Sequence, residues 1–295
     1  MVSRQVPRWL WLLWLGMALD QAFAGAPQAD SAQALLFRVE RPGMAESFVF
    51  GTIHSEDPRV TRLPHPVREA FDAARYLVLE VLMDDARRAE ASQSMLFSDG
   101  RELVGVLEPD LYAQVVQAAG ERGLPEPAVR LCKPWGLVMM LSAPPMATGQ
   151  ALDVVLYNLA LEQGKGVFGL ERVEEQLDVF EGLPEVDQVA LLRNTLARRQ
   201  ELAAAHGELL DAYLRRDLQH LARLNRQHMD DLDPDLVARI NQGMIVERNA
   251  HMLERLGPFL DSGHAFVALG ALHLPGPHGV LEGLRRQGYR VTPVL

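Results

Sequence analysis

Residues 264–276 read HAFVALGALHLPG. The apolar run Ala265 to Leu269 favours a buried β-strand, and Gly270 and His273 follow it before a Pro-Gly pair that stops regular structure. The same order of residues occurs once upstream, in SFVFGTIH at residues 47–54. Two predicted strands therefore each end in a glycine followed three residues later by a histidine. We predict that the chemistry of the protein lies at these two G-x-x-H segments.

Length and composition indicate a globular protein. The chain has 295 residues, of which 48% are hydrophobic and 23% charged, enough for one large domain or two small ones. Its net charge of −10 leaves no basic excess, which excludes nucleic acid as an expected partner. Cys132 is the only cysteine, so an intramolecular disulfide is impossible. We expect this cysteine to be a buried apolar group rather than a nucleophile.

The first 24 residues are predicted to be a secretory signal peptide. Arg4 and Arg8 precede an apolar run from Trp9 to Leu19, and Ala-Phe-Ala at 22–24 fits the cleavage pattern. An uncleaved anchor is the alternative, but the run ends at Asp20 and is shorter than the roughly 20 residues that span a bilayer. No later segment has the pattern of a membrane span. The sequence thus predicts a periplasmic or secreted protein with one mature domain at residues 25–295.

The order of predicted elements indicates an α/β protein. The segment from Val173 to Leu260 has an almost entirely helical pattern, including one long helix at residues 186–206. We predict a mixed, partly parallel sheet flanked by helices, with a helical cap at about 174–260. Strand patterns occur at residues 34–40, 47–53, 76–82, 167–171, 265–269 and 289–294, and the first two form a hairpin.

Four side chains are predicted at the ends of strands: His54, Glu80, Glu171 and His273. Ligands of open α/β sheets bind outside the carboxyl ends of the strands. Two imidazoles and a carboxylate suit a divalent transition metal, although the spacing does not select the metal. Glu80 is the more informative acid, because a carboxylate within LVLEVL is costly to bury without a cation or hydrogen bonds. The alternative for each histidine is a hydrogen-bonded or surface residue, and Glu171 with Arg172 could form a solvated pair.

Several common enzyme motifs are absent from the sequence. It contains no H-E-x-x-H, no G-x-S-x-G, no Walker loop and no G-x-G-x-x-G. These absences argue against the commonest zinc proteases, serine hydrolases and nucleotide-binding proteins.

Motifs in a fixed order resemble the TraB/GumN family, which is related to the Tiki metalloproteases and includes PrgY. They are FVFGTIHSEDPRV, YLVLEV, LDVVLYNLALEQGKGVFGLERVEEQLDVF, VERNAHMLERL and FVALGALHLPGPHGVLEGLRRQGY. The resemblance covers about residues 35–294. It implies a fold similar to the erythromycin-esterase/ChaN group and a divalent-metal-dependent peptidase-like site, with manganese, cobalt or zinc as the candidate ions.

Carried over to this chain, the resemblance implies that His54, His273 and Glu80 bind the metal. Glu80 would alternatively act as the general base, Arg248 would stabilise a developing oxyanion, and Glu171 would accompany them. A peptide or protein substrate is expected. The rival hypothesis is a non-catalytic periplasmic protein that binds peptides, as PrgY does, or that assists polysaccharide assembly, as the genetic neighbourhood of GumN suggests.

Overall fold

The computed structural model describes residues 33–295, apart from Met83, Pro145 and His228. The predicted signal peptide at residues 1–24 lies outside this described part. Within it, every helix is too short or too polar to cross a lipid bilayer.

A six-stranded mixed sheet forms the centre of the molecule, which confirms the predicted α/β class. Its strand order is β4-β3-β5-β2-β1-β6. Neighbouring strands are parallel from β4 to β2, whereas β1 pairs antiparallel with β2 and with β6. The strands are β1 (Leu36–Glu40), β2 (Ser47–Thr52), β3 (Tyr76–Val81), β4 (Gly166–Glu171), β5 (Ala265–Gly270) and β6 (Arg290–Pro293).

The central strand β5 is buried along its whole length. A parallel strand that is covered on both faces has a continuous apolar sequence, which explains the run AFVAL. The edge strand β6 has the opposite character, because its residues alternate between exposed and half-buried positions. The predicted hairpin is also present, since Leu36 of β1 pairs with Phe50 of β2.

Helices cover the sheet and build a second layer. The prediction of one helix at residues 186–206 is wrong, because the chain forms two helices there, α9 and α10, which are separated by residues 198–201. The helices are α1 (Pro58–Thr61), α2 (His65–Ala73), α3 (Asp85–Ser94), α4 (Pro109–Glu121), α5 (Glu126–Val129), α6 (Pro134–Ser142), α7 (Leu152–Glu162), α8 (Val173–Glu181), α9 (Glu185–Ala197), α10 (Leu202–Leu214), α11 (Leu218–Gln227), α12 (Pro234–Asn241), α13 (Arg248–Ser262) and α14 (Val280–Arg286).

The buried apolar residues form two cores. The first surrounds the sheet and includes residues of α2, α7, α10, α11, α13 and α14. The second is mainly helical and joins α3 to α6 with α8, α9 and α12. The segment 174–260 is therefore divided between the two cores. Cys132 lies in the second core, where burial raises the pKa of its thiol to about 11, as expected for an unreactive cysteine.

Candidate functional site

The four side chains predicted at strand ends lie along one edge of the sheet. Glu171 is the last residue of β4 and Glu80 lies next to the end of β3. His273 ends a 3-10 turn that follows β5, and His54 lies two residues beyond β2. Because these four strands are parallel neighbours, the side chains follow one another along the edge in the order Glu171, Glu80, His273, His54.

The two G-x-x-H segments are in contact. A Cβ atom at Gly51 would lie 3.3 Å from the Cα of Ala271 and 2.9 Å from Cδ1 of Leu274. A side chain at residue 51 would displace Leu274 and press on the turn after β5, so glycine allows this close approach of the two segments. Gly51 pairs with Leu269 and Thr52 with Gly270, so the two G-x-x-H segments lie side by side with an offset of one residue.

Two hydrogen bonds offset the free-energy cost of burying the carboxylate of Glu80. Its Oε1 accepts a hydrogen bond of 2.5 Å from the backbone N–H of Gly270, and its Oε2 accepts one of 2.9 Å from Nη2 of Arg248. The same Oε1 lies 3.7 Å from Nε2 of His273. The carboxylate thus joins the second G-x-x-H segment to the arginine.

Arg248 is buried between two carboxylates. Its Nε donates to both carboxylate oxygens of Glu171 at 3.0 and 3.1 Å, and its Nη2 lies 2.7 Å from Oε2 of Glu171. Burial alone would lower the pKa of Arg248, but the hydrogen bonds and charges of Glu171 and Glu80 outweigh it and raise that pKa. Gln176 also donates to Glu171 at 3.0 Å. Glu171 is therefore part of a buried ion cluster and does not form a solvated pair with Arg172.

A widened helical turn precedes this arginine. Residues Gln242–Glu247 form a π-helical turn between α12 and α13, and Arg248 is the first residue of α13. Such turns are rare and often lie at functional sites. Arg248 and its neighbour Asn249 are both buried, with 5% and 1% of their surface exposed, and both hydrogen-bond to site residues.

Asn249 determines the tautomer of His273. Its Nδ2 donates to the backbone carbonyls of His273 and His278, which orients its Oδ1 toward Nδ1 of His273 at 2.7 Å. Because an amide oxygen only accepts, Nδ1 must hold the proton, and Nε2 keeps a lone pair that faces Glu80. Burial, followed by the charge of Arg248, lowers the pKa of His273 from 6.5 to about 3. The ring is therefore neutral at physiological pH.

His54 has an equivalent arrangement on the neighbouring strand. Its Nδ1 lies 3.3 Å from Oδ2 of Asp153, in the first turn of α7, and a carboxylate can only accept the proton that Nδ1 holds. The Nε2 atom of His54 is buried and has no hydrogen-bond partner in the described part of the chain. Both histidines thus have Nδ1 held by an acceptor, which leaves Nε2 as the atom that a neutral ring offers to a metal. Protein histidines that bind metals are commonly oriented in this way.

The predicted metal set is brought together only in part. His273 and Glu80 lie within 3.7 Å, whereas the side-chain contact of His54 is with Asp153. No group of three or more His, Cys, Asp or Glu side chains has metal-binding spacing among the residues that the structure describes. The available donors are two imidazole lone pairs and one carboxylate on adjacent strand ends.

Three supporting residues were not predicted from the sequence. Asp153 and Asn249 orient the histidines, and the hydroxyl of Tyr213 donates a 2.9 Å hydrogen bond to the carbonyl of Gly51. Burial and the charge of Asp153 raise the pKa of Tyr213, so the hydroxyl stays protonated. Each of the three lies within a helix whose sequence has no motif that marks a site. The one available signal was the position of Asn249 beside Arg248.

A cavity of 390 Å³ adjoins the first G-x-x-H segment. The loop from Ile53 to Asp57, which includes His54, forms one end of it, and α6, α9, α10 and α11 contribute the walls. Glu56 fixes the neighbouring loop, because its carboxylate accepts hydrogen bonds from the backbone N–H groups of Ala147, Thr148 and Gln150.

The sequence is similar to those of known metalloproteases. The chain is 26% identical to Metalloprotease TIKI2 of Danio rerio, over 88% of this chain and 60% of the relative, and 25% identical to Metalloprotease TIKI1 of Homo sapiens, over 90% and 63%. The chain therefore spans less than two thirds of the length of these relatives. No solved structure matches it. The model of the TraB/PrgY/gumN family matches residues 35–293, and the chain belongs to that family.

Proposed function

We propose that the protein is a divalent-metal-dependent peptidase. The observation that supports this most directly is that two histidines from distant parts of the sequence have the same hydrogen-bonding arrangement. Each donates from Nδ1 to a fixed acceptor, so a neutral ring offers Nε2 as the metal ligand, and in His54 this atom is buried without a partner among the described residues. The relatives named metalloproteases support the same class of reaction.

His54, His273 and Glu80 would hold the ion. Oε1 of Glu80 and Nε2 of His273 are both acceptors, and two acceptors that face each other at 3.7 Å are stabilised by a cation. Nitrogen and carboxylate donors suit zinc, manganese or cobalt. A bound ion of this kind polarises a carbonyl group and acidifies a water molecule.

The other residues hold the donors in place. Arg248 and Gly270 fix the two oxygens of Glu80, while Glu171 and Gln176 fix Arg248. Arg248 therefore serves as a positioning residue, because its Nε and Nη2 are directed at carboxylates. Glu80 retains unused lone pairs, with which it would serve as a third ligand or as the base that takes a proton from water.

The test is metal analysis combined with peptide cleavage. The purified protein is stripped with a chelator, reloaded with manganese, cobalt or zinc, and incubated with a mixture of peptides whose products are identified by mass spectrometry. We expect cleavage that requires the metal and is lost in His54→Ala and His273→Ala. The loss of metal affinity should exceed the roughly 10- to 100-fold typical of removing an outer-shell partner.

His65→Ala is the matched control. This histidine lies on α2 with 84% of its side chain exposed, and its ion pair is with Glu69 on the same helix. Its replacement should leave metal content and cleavage unchanged. Stoichiometric peptide binding without products, in metal-loaded protein, would instead identify a non-catalytic peptide-binding protein.

We also propose that the protein is exported. The support is the signal-peptide pattern of residues 1–24. N-terminal sequencing of the protein produced with its full leader should give a chain that starts at Gly25. A secreted or periplasmic fraction that contains only chains starting at Met1 would contradict cleavage.

A further inference from the structure

The walls of the cavity beside His54 are mainly apolar. Its volume of 390 Å³ lies within the range of small-molecule sites. A binding site of this kind selects its ligand by apolar contact and a few polar groups. The apolar side chains on its walls include Met139, Leu191, Leu202, Leu209, Met229 and Leu232.

The charged groups on the walls already have partners within the protein. Glu56 is hydrogen-bonded to the neighbouring loop, Asp57 binds Arg59, and Arg198 binds Glu201 at 3.2 Å. A charged ligand would have to compete with these contacts. The cavity therefore favours an uncharged ligand.

One wall residue has an unused hydrogen-bond donor. Asn225 on α11 is 9% exposed, and its Nδ2 is buried without a hydrogen-bond partner among the described residues. Buried polar groups are nearly always paired, because an unmade hydrogen bond costs free energy. Nε2 of His54 also has no hydrogen-bond partner among the described residues, and both residues line this cavity.

We propose that this cavity binds an apolar side chain of a peptide, about the size of leucine, methionine or phenylalanine. A rotation of the Asn225 side chain would let its Nδ2, which is buried in the unliganded protein, donate to a backbone carbonyl of the same peptide. The chemistry of the walls, an apolar surface with one neutral donor, fits a side chain next to a peptide carbonyl. His54 lies both on the wall of the cavity and at the edge of the sheet. That the bound peptide is a substrate rests on the proposed peptidase function. The binding itself needs no metal.

Calorimetric titration of chelator-stripped protein tests the proposal without any contribution from catalysis. The ligands are pentapeptides of the form acetyl-Gly-Gly-Xaa-Gly-Gly-amide, in which Xaa is glycine, aspartate, leucine or phenylalanine. Burying a leucine-sized side chain should make the leucine and phenylalanine peptides bind at least about 10-fold more tightly than the glycine peptide. Equal affinities would overturn the proposal, even if the loaded enzyme cleaves peptides. Selective binding without any cleavage would instead leave it standing and remove the peptidase function.

Two matched pairs of variants locate the binding. Ala205 lines the cavity, whereas Ala204 is an exposed neighbour on the same helix. Ala205→Phe should reduce the affinity for the leucine peptide to that for the glycine peptide, and Ala204→Phe should leave it unchanged. The reverse result, or equal effects of the two variants, would place the binding elsewhere.

The second pair tests the donor. Asn225→Leu should weaken the binding of every peptide about 5- to 10-fold, as expected for one lost hydrogen bond, without lowering Tm. Asn158→Leu changes an exposed asparagine of α7 and should have no effect on binding. A lower Tm with unchanged peptide binding would show that Asn225 is structural and would overturn its role. Binding of decanoate without binding of the peptides would assign the cavity to acyl chains instead.

Discussion

Asn249 and His273 share one arrangement of protons, because Oδ1 of the amide lies 2.7 Å from Nδ1 of the ring. The amide cannot turn over without breaking its two hydrogen bonds to the carbonyls of His273 and His278. One side chain therefore determines both the position of the turn after β5 and the nitrogen that keeps the lone pair.

Replacing Asn249 should thus affect metal binding and stability together. We expect Asn249→Ala to lower zinc affinity by roughly 10- to 100-fold, as for other outer-shell partners. The free energy of unfolding should fall by about 1–3 kcal/mol, because two carbonyls lose a buried donor. Competition with a zinc chelator and urea denaturation measure the two effects. Asn158→Ala, at an exposed position, is the control, and unchanged zinc affinity in Asn249→Ala would contradict the assignment.

Asp153 should have a similar effect on the other histidine. Asp153→Asn keeps the shape of the side chain but allows an NH₂ group to face Nδ1 of His54, so the ring proton can move to Nε2. Zinc affinity should fall about 10- to 100-fold in the same competition assay. Asp235→Asn is the matched control, since Asp235 is an exposed acid in the first turn of α12. If both changes lowered zinc affinity equally, the cause would be the loss of a negative charge in the first turn of a helix rather than a change in the tautomer of His54.

The buried ion cluster should respond to mutation as a unit. Removing the guanidinium in Arg248→Met leaves Glu171 and Glu80 without their cation and should cost about 3–5 kcal/mol of unfolding free energy. The double variant Arg248→Met with Glu171→Gln should be more stable than Arg248→Met alone, because one uncompensated charge has been removed. Urea denaturation measures both.

An exposed pair provides the comparison for this cycle. Arg255 forms an ion pair with Glu175 at 2.8 Å, with 40% and 24% of the two side chains exposed. Its coupling energy with Glu175 should be about 1 kcal/mol or less. Additive costs for Arg248 and Glu171 would show that the buried cluster is not coupled.

The lowered pKa of His273 predicts a pH dependence in metal-free protein. Between pH 6.5 and about 3 the unfolded chain binds a proton at this histidine and the folded chain does not, so stability falls as the pH is lowered through this window. We expect the unfolding free energy of the native protein, relative to His273→Gln, to fall by about 1.4 kcal/mol per pH unit between pH 6 and 4. A constant difference for His273→Gln would show that folding does not lower the pKa of this ring.

The sequence predicted the sheet and its edge because both depend on local patterns. The apolar run at 265–269 and the alternation at 36–40 identify strands, and strands separated by helices imply parallel pairing. The apolar neighbours of Glu80 also predict that its buried carboxylate is paired with a cation or hydrogen-bonded. These are statements about a few consecutive residues and the faces on which they lie.

The partners of the histidines depend on tertiary contacts that no local pattern specifies. Asp153 is 99 residues from His54, and its position at the start of α7 resembles an ordinary favourable acid in the first turn of a helix. The break between α9 and α10 was missed for a related reason. Residues 198–201 are Arg-Arg-Gln-Glu, all good helix formers, and the chain turns there without glycine or proline.

The ion cluster of Arg248, Glu80 and Glu171 lies where the chain crosses between the two cores. The chain passes from one core to the other just after Glu80, just after Glu171 and just before Arg248. The guanidinium of Arg248 thus links all three crossings, beside the edge of the sheet where the histidines lie. Glu80, Glu171 and Arg248 all lie on the sheet side of these crossings, so a displacement of the helical layer would act on three chain points that one guanidinium holds together.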